Sequence, residues 1–210
     1  MSQEPSQLEQ ALRRAGTAPT GDRAAVAVRR FAEAAAEAGS LDVAYAVEPS
    51  PVGTLFLAAS RRGLLEVGYH ADDFDEYVEE IARRVSPRVM RAPGRLDDVR
   101  RQLEEYFAGR RRRFEVPVDW SLARAGFGRR VLRATAGIPY GDTLTYRDVA
   151  RRAGNVAAVR AAGNALGANP VPIVVPCHRV VRTGGALGGY GGGVERKRFL
   201  LDLEGVLPDA

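Results

Sequence analysis

The sequence predicts an α/β protein of the α+β kind, in which a small mixed or antiparallel sheet with helices precedes a mainly helical C-terminal half. Three observations carry that prediction. Residues 42–70 show the two-residue alternation of strands, broken by the turn sequences Ser50-Pro51-Val52-Gly53 and Arg61-Arg62-Gly63. From Phe127 the period becomes helical, and two short helices at 146–153 and 156–168 meet at Gly154-Asn155, the signature of a helix-turn-helix. Beyond them Ile173-Val174-Val175, β-branched and bracketed by Pro170, Pro172 and Pro176, is expected as a brief buried strand or extended segment that delivers the single cysteine, Cys177.

Residues 1–40 read as a partly helical extension. Ser6 and Glu9 fit a capping box ahead of Gly16, and Asp22 caps a helix that Gly39 closes. Residues 41–120 form a second unit. Segments 42–48, 52–60 and 64–70 make an antiparallel meander that ends at His70, read as an ordinary surface histidine. A helix starts at Asp72 or Asp73 and runs to Val85. Another comes after Pro93 and reaches Phe107, with Leu96, Val99, Leu103 and Phe107 as its core face. Arg110–Arg113 is either a solvated turn or a phosphate contact. Residues 114–120 are expected as an edge strand, where a proline is tolerated. Residues 121–210 form the third unit.

Composition narrows the function classes. One cysteine excludes an intramolecular disulfide and a cysteine-rich zinc site, and with only two histidines no structural metal is expected. No apolar run approaches the roughly 18 residues of a membrane helix and no signal-peptide core is visible, so the expectation is a soluble cytoplasmic protein without a membrane partner. Charge is uneven. Residues 121–210 hold 13 Lys and Arg against 6 Asp and Glu, while the preceding 120 hold 18 against 20. A basic C-terminal half is the footprint of a nucleic-acid binder, or of a solvated arginine-rich surface.

Two readings of Cys177 stand side by side. Beside Ile173, Val174 and Val175 it fits a small core hydrophobe. With His178 and Arg179 next to it, it also fits a nucleophile whose proton an imidazole accepts. On a strand, neighbours face opposite ways, so His178 reaches the sulfur only through a backbone bend or a water. The helix over 156–168 is rich in small residues, Ala161 and Gly163 among them, with Arg160 as its one prominent cation. That face suits close approach to a minor groove or tight packing on the core, and is too poor in polar side chains for major-groove readout.

Pro176-Cys177-His178-Arg179-Val180, preceded by Asn169-Pro170-Val171-Pro172 and followed by the glycine-rich stretch 188–193 and the helix to Gly205, closely resembles the O6-alkylguanine-DNA alkyltransferases. The match is dense over about 126–205 and weaker over about 43–120. The resemblance implies a supporting α/β domain at 41–120 and a DNA-binding, alkyl-transferring domain at 121–210. It implies direct reversal of damage: an alkyl group moves irreversibly from guanine O6, and from thymine O4, to Cys177, once per chain and without a cofactor or metal. His178 is then the base and Glu204, which read alone is a solvated last-turn carboxylate, orients it. Arg160 fills the gap left by an extruded base, with Ala161 and Gly163 on the helix that enters the minor groove. Tyr146 lies near the flipped nucleotide and donates a proton to the leaving guanine, while Asn169 ties the recognition helix to the cysteine segment. The backbone carbonyls near Val175 and Cys177 read the base, Tyr190 walls the alkyl group, and Gly191 stands where many relatives have a hydroxyl residue. The implied partner is double-stranded DNA containing alkylated guanine, bound by a monomer that clusters on DNA. The alternatives are a non-catalytic alkylguanine sensor, disfavoured because such relatives replace the cysteine, a Cys-His-Glu hydrolase, which would turn over, and a transcription factor.

Overall fold

The computed structural model describes residues 41–69 and 74–206; the helices expected within 1–40, the start of the helix after residue 71, and His70 lie outside them. Strands β1 (Val43–Glu48), β2 (Leu55–Ser60) and β3 (Gly63–Gly68) form the expected antiparallel meander. After helix α1 (Phe74–Arg84) the three-residue strand β4 (Val89–Arg91) adds to β1 in parallel, giving the order β3-β2-β1-β4. Three residues are too few to show an alternation, which is why the sequence pattern misses β4.

Side chains alternate across this sheet. Val43, Phe56 and Leu65 face α1 and bury Ile81, whereas Leu55 and Leu57 face the other way. There they join Leu96, Val99 and Leu103 of a 3-10 turn (Pro93–Leu96) and helix α2 (Asp97–Phe107). A β-bulge interrupts the alternation. Between Ala58 and Ala59 of β2 the partner on β3 jumps from Glu66 to Leu64, so β3 holds one extra residue. The extra residue switches the parity of β3 and turns Val67 and Tyr69 toward the core shared with the C-terminal elements.

Residues 114–120 do not form the expected edge strand. They make one parallel bridge, Leu64 to Val118, in which Leu64 N–H donates to Pro117 O (2.8 Å) and Asp119 N–H donates to Leu64 O (2.8 Å). Pro117 contributes only a carbonyl, so the ladder stops there.

Beyond it come α3 (Phe127–Ala136), β5 (Leu144–Thr145), α4 (Tyr146–Arg152) and α5 (Val159–Gly167). A reciprocal capping box, Thr145 with Asp148, starts α4. The second helix of the motif begins three residues later than expected, because Ala157 N–H donates to Asn155 Oδ1 (3.1 Å) and holds 156–158 as a turn. The segment 173–175 is a buried turn rather than a strand. Pro170, Pro172 and Pro176 have no N–H to give a ladder, and Val175 N–H closes back on Val171 O (2.8 Å). Cys177 therefore sits in a 3-10 turn (Cys177–Arg179) immediately ahead of the two-residue strand β6 (Val180–Val181), which pairs in parallel with β5. Helix α6 (Val194–Leu203) is the last element among the described residues.

Candidate active site around Cys177

The turn that carries Cys177 is held by one side chain. Asn169, just past α5, donates through Nδ2 to Val175 O (2.8 Å) and to Cys177 Sγ (3.1 Å), and its Oδ1 accepts from Val171 N–H (3.1 Å). Ile173, fully buried, adopts φ +72°, a left-handed conformation that costs a β-branched residue free energy and persists only where packing enforces it. The sulfur is thus placed by a rigid, strained turn tied to the recognition helix. Cys177 is buried, and burial pushes its thiol up to about 11 despite the Asn169 hydrogen bond and the charge of Lys197. At neutral pH it rests as the thiol, so attack requires a base.

The residue beside it meets that requirement. The 3-10 turn points the fully buried His178 imidazole at the C-terminal end of α6, where Nε2 lies 2.9 Å from Glu204 Oε1. Glu204 is buried and also accepts from Tyr106 Oη (2.7 Å), Arg179 Nε (2.8 Å) and Arg179 Nη2 (2.8 Å). Burial alone would raise its pKa, but His178 and Arg179 outweigh it and hold the carboxyl at about 2. Burial lowers the pKa of His178, against the pull of Glu204, and leaves a neutral ring. An ionised Glu204 can only accept, so Nε2 carries the ring proton and Nδ1 carries the lone pair. Nδ1 is buried and has no hydrogen-bond partner among the described residues, so it is an available proton acceptor.

In front of the sulfur lies a narrow cavity of about 120 Å³ bordered by Cys177, Asn169, Tyr190, Gly191, Tyr69 and Glu66. Larger hollows of about 610 and 650 Å³ occur elsewhere, but neither is lined by the cysteine or by a histidine. Tyr190 is half-buried and its ring stands edge-on to His178 at 6.4 Å. Gly191 presses on the end of α5: a Cβ there would lie 3.1 Å from Gly167 O. Val175 does not border this cavity. It is fully buried behind the turn, and its carbonyl already accepts from both Asn169 Nδ2 and Cys177 N–H. With two donors in place both of its lone pairs are engaged within the turn.

The remaining expected residues sit on the neighbouring surface. Tyr146 opens α4; its hydroxyl donates to Gly189 O (3.2 Å), and its ring lies against Gly163, where a Cβ would sit 3.8 Å away. Arg160 and Ala161 are exposed on α5, and among the described residues Arg160 makes no hydrogen bond or ion pair. Arg160, Ala161 and Gly163 are therefore outside the cysteine cavity, on the helix that Asn169 connects to it.

Three contributors escape sequence reasoning. Lys197 is fully buried, and its ammonium donates to Val180 O (2.5 Å) and to Leu187 O, binding the glycine-rich loop to β6. Burial lowers its pKa to about 8. Its signal was spacing, since Lys197, Leu200, Leu201 and Glu204 share one helical face. Tyr106 anchors Glu204 from α2, distant in sequence. Glu66 enters from the bulged strand β3, and burial raises its carboxyl to about 8. Its folded pKa exceeds the unfolded one, so this group costs stability as pH rises from about 4.5 to 8. Glu66→Gln is expected to raise the melting temperature at pH 8–9 and to change it little at pH 5; equal shifts at both would place Glu66 in water.

Known proteins resemble this chain over both halves. The family model described as 6-O-methylguanine DNA methyltransferase, DNA binding domain, matches residues 126–206, and that of the ribonuclease-like domain of the same family matches 43–120. An inducible methylated-DNA–protein-cysteine methyltransferase of Bacillus subtilis is 40% identical over 150 residues, covering 71% of this chain and 83% of that protein. One from Methanosarcina acetivorans is 40% identical over 170 residues, covering 77% and 97%. Among solved structures, the Mycobacterium tuberculosis O6-methylguanine methyltransferase superposes with a TM-score of 0.67 at 37% identity, covering 80% of this chain and 96% of that one. The same organism's OGT in complex with DNA gives 0.66 at 38%, covering 77% and 93%. With both halves matched by the family's own models and full-length relatives at this identity, the chain belongs to the 6-O-methylguanine DNA methyltransferase family.

Proposed function

We propose that the protein repairs O6-alkylguanine in double-stranded DNA by moving the alkyl group to Cys177. The observation that carries this reading is the buried Cys177 thiol at the floor of a narrow cavity, backed by a His178 whose free nitrogen is a proton acceptor. The names of the relatives and the DNA complex of a solved neighbour support it.

The thiol proton passes to His178 Nδ1 through a water, because the two groups share no direct hydrogen bond, and Glu204 stabilises the imidazolium that forms. Cys177 Sγ then attacks the alkyl carbon in line. The S–C bond forms as the C–O6 bond breaks, and the electron pair stays with guanine. Tyr146, whose hydroxyl burial keeps protonated, donates to the departing base once it leaves Gly189 O and is then reprotonated from water. A thioether has no carbonyl for water to attack, so the product is permanent and each chain reacts once.

The target base leaves the stack to reach a sulfur at the floor of a cleft, at a cost of a few kcal/mol. Exposed Arg160, on a helix with small neighbours Ala161 and Gly163, is placed to enter the minor groove and occupy the gap. Arg160→Ala is expected to slow reaction with duplex DNA by about tenfold or more and to leave reaction with free O6-alkylguanine within about twofold. Equal losses on both substrates would remove Arg160 from base extrusion.

The direct test is intact mass after incubation with a duplex carrying one O6-methylguanine. A gain of one methyl group on Cys177, saturating at one per chain, is the expected result; repeated turnover without modification would make the protein a hydrolase.

A further inference from the structure

We infer that Tyr69, the residue just past β3 of the N-terminal sheet, is the positioning residue that pins Tyr190 and thereby restricts the cavity to small alkyl groups. This rests on the reading of the cavity as the alkylguanine pocket. Tyr69 Oη and Tyr190 Oη are 2.6 Å apart, and their rings lie 6.0 Å apart in a tilted pair. Burial raises both phenols, so the contact joins two neutral hydroxyls, one donating to the other. Tyr69 is itself fixed from two further sides. The Arg196 guanidinium stacks over its ring at 5.1 Å while donating to Val52 O (2.6 Å) and Gly192 O (2.8 Å). Gly192 lies directly against the same ring: a Cβ there would sit 2.6 Å from it.

Beyond its edge-on contact with His178 and the hydrogen bond that Tyr69 gives its hydroxyl, Tyr190 is carried by a loop built largely of glycine. It is flanked by Gly188, Gly189, Gly191, Gly192 and Gly193, and two of these, Gly188 (φ +68°) and Gly193 (φ +90°), occupy conformations that favour glycine. The bulge in β3 makes the contact available, because it turns Tyr69 inward. Beside it, Val67 N–H donates to Pro170 O (2.8 Å), so one strand touches both the cysteine turn and the opposite wall. The space between is only about 120 Å³ and Tyr190 forms one of its walls, so the freedom of that ring to retreat sets how readily a group bulkier than methyl is admitted beside the base.

The test is Tyr69→Phe, which removes one hydroxyl and keeps the ring under Arg196. Single-turnover rates are measured by intact mass on duplexes carrying O6-methylguanine or O6-benzylguanine. The benzyl-to-methyl rate ratio is expected to rise about fivefold, the equivalent of one net hydrogen bond, with the melting temperature lowered by only about 2–4 °C. Tyr190→Phe should give the same rise, and combining the two should add nothing further. An unchanged ratio in Tyr69→Phe overturns the inference, as does a full additional rise when it is combined with Tyr190→Phe. A merely structural Tyr69 would slow both substrates equally and leave the ratio alone. If the wild-type protein transfers neither group, the reading of the pocket itself fails; if it transfers methyl and only the ratio stays fixed, the role of Tyr69 alone fails.

Discussion

Glu204→Ala is expected to lower the unfolding free energy by about 3–5 kcal/mol at pH 7, and to abolish alkyl transfer in the fraction that stays folded. The size comes from the groups the carboxylate holds. Removing it strands the Arg179 guanidinium without a counter-charge, deprives the Tyr106 hydroxyl of its acceptor, and frees His178 to rotate. All three groups are buried, and the cost of leaving such groups unpaired exceeds the net worth of having paired them. The effect is pH-dependent in a defined direction. The folded pKa of Glu204, about 2, lies below its ordinary value of 4.5, so its stabilisation is complete above about 4.5 and fades as pH falls toward 2. Urea titrations at pH 6 and pH 2.5 are expected to show the gap between wild type and variant narrowing at the lower pH. A gap that is constant with pH would mean the carboxylate acts by packing alone. Glu204→Gln separates the two losses, since an amide keeps hydrogen-bonding capacity but not the charge facing Arg179.

The second large effect concerns the sulfur. Cys177→Ala is expected to reduce transfer below detection, at least about a thousandfold, while duplex affinity stays within about threefold. Stability should change by less than about 1.5 kcal/mol, because the substitution removes one atom from a buried site and leaves no polar group unpaired apart from one of two contacts of the Asn169 amide. Cys177→Ser should be equally inactive, since a buried hydroxyl is a far weaker nucleophile toward an alkyl carbon than a thiolate. The checks are intact mass after incubation with O6-methylguanine duplex, and binding measured at two salt concentrations. Residual methylation of either variant would place the acceptor elsewhere and sink the assignment of Cys177.

Much of this protein is legible in its sequence because the relevant signals are local. Alternation over 42–68 identified the meander, since a strand with one buried face repeats every two residues. The run Leu96, Val99, Leu103 marked the buried face of α2 for the same kind of reason, at helical period. What failed was also local. Three prolines in seven residues make a turn out of Val171–Val175 where β-branching alone suggested a strand, and Asn155 delays α5 by capturing the backbone ahead of it.

The sequence by itself carried the meander, most of the helices, the basic C-terminal half and the neighbouring pair Cys177 and His178, while Asn169 and Glu204 joined the candidate set only through the family resemblance. Only the tertiary structure decided which atoms meet. It turned His178 toward Glu204 by a 3-10 bend and left Nδ1 free. It filled the Val175 carbonyl with two donors, and buried Lys197 against the carbonyl of Val180. It brought Tyr106 and Tyr69 to partners 98 and 121 residues away. The physical reason is the same in each case. A hydrogen bond between residues far apart in the chain depends on the path of the backbone between them, and neither composition nor periodicity records that path.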